Sequence, residues 1–392
     1  MPLALLAMFA NGQSLSLDQA VASARDKRAS VQAARLRLER ARFCRRALGT
    51  LPATSLLVGY SNDLRVGGSD DDLVISQPID LFGRTNAARR TGDALVLQAE
   101  ANLRQIELEL QNDVVTLYVD AVATRSRVLI AKEAESGAQS LYLAIRELVE
   151  GGKLPGVQAT RVSIELLRAT AARKQREVEA AAALRRLAAA IATEKVSVAQ
   201  AFPAIPTLEV SEALLKSHRA DLMLLSAEVA EANADARLAR ADRQPQLELQ
   251  GRRSAWQEDP AYGVRLQLNF PLFDGGKSRA QEAAARRHAD AARKSFEDAL
   301  SIARAETEAA RLEVRGAQAQ IGSLDQVIAT ARDLVSRTEI GLKEGANTLV
   351  DVLDASRALR EIQESLIDAR ATLSLSQARY LRATGTLLEV RP

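Results

Sequence analysis

Apolar residues along this chain follow two different periods. Leu247 and Leu249 alternate with Gln246, Glu248 and Gln250, and Val264, Leu266, Leu268 and Phe270 alternate with Arg265, Gln267 and Asn269. Period two predicts strands with one oily and one polar face. A first pair, residues 52–62 and 71–79, is bounded by Pro52, Gly67, Gly68 and Pro78, which punctuate two strands joined by a loop; the second pair is placed at 245–254 and 262–271.

Elsewhere the period is helical. Residues 17–48 follow Ser14 or Ser16 as a cap, with a break expected near 26–30. Residues 84–150 hold no proline and only Gly92 and Gly137, so one helix can run through all of them, roughly 100 Å at about 1.5 Å per residue. Leu103, Leu110 and Leu117 form one heptad line on it, and Leu108, Val115, Val122 and Leu129 another. Five steps of about 100° set these lines about 140° apart. Two seams suit a helix flanked on both sides in a wall, or one inside a broad bundle core. Gly151, Gly152, Pro155 and Gly156 stop the helix, and residues 157–192 return antiparallel.

These features recur at an offset of 193 residues: Leu15 with Leu208, Pro52 with Pro245, Pro78 with Pro271, Gly152 with Gly345, Val157 with Val350. The expected organisation is a tail at 1–13, a first structural repeat at 14–193 and a second at 194–392. The second tip is Gly345, Ala346, Asn347 and Thr348. The strand-to-helix turns are Pro78 with Gly83, and Pro271 with Gly275 and Gly276.

Composition narrows the function classes. Lys plus Arg is 53 against 50 for Asp plus Glu, and no basic and aromatic cluster suits nucleic acid. Cys44 alone cannot form an intrachain disulfide or a multi-thiolate metal site. No apolar run reaches the roughly 18 residues of a membrane-spanning helix, so a membrane crossing would need strands. Residues 1–10 are almost wholly apolar and read as a signal remnant or a disordered tail; the charged leader region and a lipid-accepting cysteine are missing.

The strands admit two readings: half-buried strands packed on helices in a soluble long-helix scaffold or adaptor, or a lipid-facing barrel segment. Open sheet edges and the aromatics Tyr60, Phe82, Trp256, Tyr262, Phe270 and Phe273 on or beside the strands favour the barrel. Catalytic chemistry finds no constellation. His218 and His288 stand alone beside arginines, and Gly275-Gly276-Lys277-Ser278 fails the phosphate-loop spacing because Pro271 stands where its first glycine belongs.

Three stretches together resemble the TolC-like outer-membrane efflux family: Asn269-Phe-Pro-Leu-Phe-Asp-Gly-Gly-Lys277, the weaker copy Gln77-Pro-Ile-Asp-Leu-Phe-Gly-Arg84, and Gly345-Ala-Asn-Thr-Leu-Val-Asp-Val-Leu-Asp-Ala355. The similarity runs from Leu15 to Leu387. It implies a mostly α fold with a small β part: a homotrimer whose chains each give four strands to a 12-stranded outer-membrane barrel, and helical hairpins to an α-barrel tunnel in the periplasm of a Gram-negative bacterium. It implies a periplasmic adaptor and an inner-membrane pump as partners, contact with outer-membrane lipid, and no cofactor, metal, nucleic acid or chemical conversion.

The same resemblance places Asp351 and Asp354 at the pore gate, in two acidic rings that favour cations and raise some carboxylate pKa values. Spacing alone favours a solvated helix face, with Asp351 as part of a helix start; the motif shifts the reading to the gate. The first copy carries Gln158 and Arg161 instead, and Arg161 or a nearby arginine is the expected gate latch. The tip turns are the expected adaptor-docking surface.

Overall fold

The computed structural model describes residues 14–63, 68–207, 210–256, 259–269 and 274–388. The tail at 1–13 and Phe270, Pro271 and Phe273 lie outside them. The elements run α1 (Leu17–Lys27), α2 (Ala29–Leu48), β1 (Ser55–Asp63), β2 (Gly68–Ile79), α3 (Arg84–Glu150), α4 (Gly156–Ala190), α5 (Glu212–His218), α6 (Ala220–Asp242), β3 (Gln246–Trp256), β4 (Asp259–Asn269), α7 (Lys277–Glu344) and α8 (Leu349–Thr384). The fold is mostly helical with one small sheet, and the same order of elements occurs twice.

Two compact units divide the chain. The first comprises residues 33–105 and 220–302 and contains the sheet, which is antiparallel in the order β1-β2-β3-β4. Directly paired residues share a face, and the pairing collects apolar side chains into rows. Ile79, Leu247 and Leu268 form one row; Leu249 and Leu266 the next, with Gln77 at its β2 position; then Leu56, Ile75 and Val264 around Gly251; then Val58, Leu73 and Tyr262, with Arg253 between the last two. Opposite them lie Ser76, Gln250 and Arg265, then Glu248 and Gln267. No described element covers the apolar face: Val264 is 82% exposed and Leu56 61%. This face of the sheet therefore packs on no helix among the described residues.

The helices of this unit follow the strand order. Gly92 of α3 meets α2 so closely that a Cβ there would lie 2.9 Å from Arg45 Cα, and Arg42 pairs with Glu100 at 3.7 Å. On its other flank α3 reaches α6 through Arg84 and Asp242 at 2.9 Å. Next, α6 meets α7 through the Ala232, Ala289 and Ala292 cluster and a 2.7 Å Arg293–Asn233 hydrogen bond. Each inner helix thus has a neighbour on both sides.

The second unit comprises residues 1–32, 106–219 and 303–392. Here α3 and α4 are linked by Arg173–Glu135 at 2.6 Å, α4 and α8 by Arg176–Glu364 at 3.1 Å, and α7 and α8 by Arg379–Glu313 at 2.8 Å. Leu108, Val115 and Val122 are buried as the second heptad line requires, but Leu129 is exposed. Val114, Tyr118, Val119 and Ala121, off both lines, are buried as well. The reason is tertiary: the Tyr118 hydroxyl donates to the Leu15 carbonyl at 2.8 Å, and Leu15 bridges Val198, so two further segments cover this stretch of α3.

The offset of 193 is not kept everywhere. Ser55 pairs with Ser76, yet their shifted counterparts Glu248 and Asn269 face Gln267 and Gln246 instead. The slip is two residues, which preserves the face of every side chain. Its cause is the turn: Asp63 pairs with Gly68, whereas Trp256 pairs with Asp259, a connection two residues shorter.

Candidate functional site

The two tips are built from the same helix-stop geometry. Leu148 O accepts from Lys153 N–H at 2.9 Å and Val149 O from Gly152 N–H at 3.0 Å, a Schellman closure that needs the left-handed φ of +71° at Gly152. In the second tip Gly341 O accepts from Ala346 N–H at 2.8 Å and Leu342 O from Gly345 N–H at 3.2 Å, with Gly345 at φ +79°. Asn347 lies over Gly341, where a Cβ would sit 2.5 Å from the Asn347 amide nitrogen. Pro155 then caps α4 without a side-chain bond, whereas Thr348 caps α8 with one. Ile145, Val162 and Leu349 form a shared buried core, so both tips belong to one packed body.

Asp351 completes a capping box. Its carboxylate accepts from Thr348 N–H at 2.7 Å, and the Thr348 hydroxyl accepts from Asp351 N–H at 3.3 Å. The backbone N–H of Thr348, followed by its hydroxyl, holds the Asp351 carboxyl below its ordinary value. In the single chain these donors outweigh the opposing effect of burial, and Asp354, which is exposed, meets Arg357 at 3.4 Å.

Arg161 is exposed and, among the described residues, reaches no carboxylate of its own chain; the Gln158 Oε1 is buried without a partner. The carboxylate contact between the hairpins comes instead from Glu165, one turn beyond Arg161 on α4. It meets Arg360 at 3.1 Å and Arg357 at 3.4 Å on α8, with 12% of its side chain exposed. Burial raises its pKa, but the Arg360 hydrogen bond and both guanidinium charges prevail and leave it lowered. Glu165 was not legible as a site because its partners lie in the other half of the chain, at no fixed spacing.

At the opposite ends of the long helices, each turn is closed by an aspartate. Asp80 accepts from the N–H groups of Gly83, Arg84 and Thr85 at 2.7–2.9 Å. Asp274 accepts from Gly276 and Ser278 N–H at 2.9 Å each. Gly83, Gly275 and Gly276 take positive φ, and Pro78 is the penultimate residue of its strand. The hydroxyl and N–H of Ser278, then Gly276, hold Asp274 at about 2. This occupancy also explains why Gly275-Gly276-Lys277-Ser278 is no phosphate loop: the chain's own carboxylate fills the amide cradle. Neither aspartate lies on an apolar line, so periodicity gives no sign of them.

Residues 211–386 match the model of the "Outer membrane efflux protein" family. The pyoverdine export outer membrane protein OpmQ of Pseudomonas aeruginosa is 25% identical over 94% of this chain and 84% of its own length. Outer membrane protein TolC of Vibrio cholerae is 28% identical over 48% of this chain, a match spanning 46% of that protein. Among solved structures, CusC superposes with a TM-score of 0.80 at 19% identity over 96% of both chains. The outer membrane channel MtrE of Neisseria gonorrhoeae, in its open state, gives 0.78 at 18% identity over 95% of this chain and 89% of that one. With the repeated hairpins and the uncovered sheet, these matches show that the chain has the fold of outer-membrane efflux channels and is similar to that family, whose model its second half matches.

Proposed function

We propose that the protein is the passive exit duct of a tripartite efflux or type I secretion system, gated at the tips of its helical hairpins. The observation that carries this reading is the sheet: four strands of 9–12 residues with one mainly apolar face that no described element covers and two edges that have no described partner strand. Strands of about 9–11 residues are long enough to cross a bilayer when tilted. Four strands cannot close. Two copies would give about eight, a barrel filled by its own side chains, whereas three give twelve and leave a lumen. A homotrimer therefore follows, contacting lipid with the apolar rows and continuing into a tunnel of the long helices. The tip turns, from Gly151 to Pro155 and from Gly345 to Thr348, are offered to a periplasmic adaptor, and an inner-membrane pump supplies the energy.

Asp351 and Asp354 are the proposed gate. On threefold repetition they form two acidic rings, and the Glu165 contacts with Arg357 and Arg360 hold the hairpins that carry them. Arg161, which meets no carboxylate among the described residues, is available to a neighbouring copy as the latch.

The test is planar-bilayer recording of the purified protein. Wild type should conduct with cation preference, and Asp351→Ala/Asp354→Ala should lose that preference and gain conductance. Thr348→Ala separates charge from capping: it removes the hydroxyl from the box but keeps both carboxylates, so selectivity should persist. Arg161→Ala should widen the resting pore. Soluble, non-conducting wild type would overturn the duct; unchanged selectivity in the double variant would overturn the gate.

A further inference from the structure

Just below the sheet, the start of α3 and the end of α6 enclose an open cleft of 570 Å³ lined by Phe82, Asn86, Arg90, Arg237, Arg240 and Gln244. Asn86 and Arg90 are one turn apart on α3, and Arg237 and Arg240 three residues apart on α6, so each pair shares a helix face. Three arginines thus line one cleft, and none of its lining residues is an aspartate or glutamate.

Their lack of partners sets these arginines apart from their neighbours. Arg45 is paired with Asp93, Arg84 with Asp242, and Arg243 and Arg286 with Glu282. Asp80 is taken by backbone amides. Among the described residues, Arg90, Arg237 and Arg240 make no hydrogen bond or ion pair; Arg240 only adds its charge to the field that lowers Glu282. Three like charges around one cleft, none in direct contact with a carboxylate among the described residues, repel one another, and an anion bound between them would offset that cost. Nor is the cleft positioned to be filled by another copy of the chain. It lies beneath β2 and β3, the inner strands, while the edges open to another copy are β1 and β4.

We infer that this cleft binds a phosphate-bearing organic anion. Planar guanidinium forks donate paired hydrogen bonds to phosphate oxygens, and several forks suit a tetrahedral group with three or more oxygens better than a carboxylate with two. The Asn86 amide adds a donor. Phe82 offers an apolar edge to the organic part of an ester, which a bare inorganic ion would leave unused. Two sources carry this chemistry. The last apolar row, Ile79, Leu247 and Leu268, ends a few residues above the cleft, which is the depth of lipid headgroups if the sheet spans the membrane. A soluble phosphoester is the other. The site itself stands on the geometry of one compact unit and does not require that the protein conduct.

Isothermal titration calorimetry of the full-length protein in a non-ionic detergent tests the inference, with short-chain phosphatidylglycerol and glycerol 3-phosphate as separate probes. One site per chain is expected for at least one probe. Arg90→Gln/Arg237→Gln/Arg240→Gln should weaken it by about tenfold or more, while Arg332→Gln, an exposed arginine on the α7 segment outside this unit, should leave it unchanged. Binding of both probes with similar affinity identifies a soluble phosphoester as sufficient; binding of the lipid alone identifies the headgroup. If the triple variant loses its native circular dichroism, the singles Arg237→Gln and Arg240→Gln, both exposed, replace it. Binding of neither probe, or equal binding by wild type and the arginine variants, overturns the inference. A conductance failure would leave every one of these readings intact.

Discussion

Asp80 and Asp274 show how much one side chain settles at the junction between strand and helix. A long helix beginning at a strand end leaves its first N–H groups without partners, and each aspartate occupies two or three of them. Since Asp274 sits at about 2 when folded, against 3.8 ordinarily, its contribution is fully present above the ordinary value. It fades as the pH falls from there through about 2. Asp274→Asn should therefore lower the melting temperature near neutrality, and the gap from wild type should close on acidification to about pH 2, as followed by circular dichroism. A pH-independent gap would show that side-chain size, not charge, holds the turn. The sequence made the turns visible through Pro78, Gly83, Gly275 and Gly276 but hid the aspartates. Backbone punctuation is local, whereas a cap is recognised only once the position of the first free N–H is known.

At the level of elements, the long helix was legible to its end residues, because a proline-free stretch between two glycine-bearing turns leaves few alternatives. Its packing was only partly legible. Leu108, Val115 and Val122 follow their heptad line into burial, while Val114 and Tyr118 are covered by segments around Leu15 and Val198 that no periodicity of α3 announces. The hairpin register slip was equally hidden, being set by a turn two residues shorter rather than by the strands. The glycines separate the two kinds of constraint. Gly137 lies inside α3 with nothing within 4 Å of the point an alanine Cβ would occupy, whereas Gly152 takes a φ of +71°. Gly137→Ala should stabilise the protein by about 1 kcal/mol through helix propensity. Gly152→Ala should destabilise it by about 1 kcal/mol or more by forcing a Cβ into the left-handed region. Chemical denaturation of the two variants checks both signs, and a Gly137→Ala variant less stable than wild type would mean that the open space beside α3 is filled in the assembled protein.

For the whole molecule, the sheet is the feature that a single chain leaves incomplete. Its apolar rows extend over β1 to β4 without a covering element, and the edges β1 and β4 have no described partner strand. Either property alone would favour aggregation in water; lipid on the rows and copies of the chain on the edges remove both at once. The duplicated hairpins fit the same requirement, since strand order and helix order coincide and each strand pair leads into its own pair of helices. The two faces of β4 then make opposite predictions at adjacent positions. Leu266 belongs to the apolar rows, paired with Leu249, and Gln267 to the polar face, paired with Glu248. Leu266→Arg places a charge where lipid is proposed and should cost about 2–4 kcal/mol per chain, reducing the folded, heat-resistant oligomer recovered from outer membranes. Gln267→Arg, one residue on and on the polar face proposed to line the lumen, should be recovered at wild-type levels while altering ion selectivity in bilayer recordings. Equal recovery of the two variants would mean that the apolar face meets protein rather than lipid.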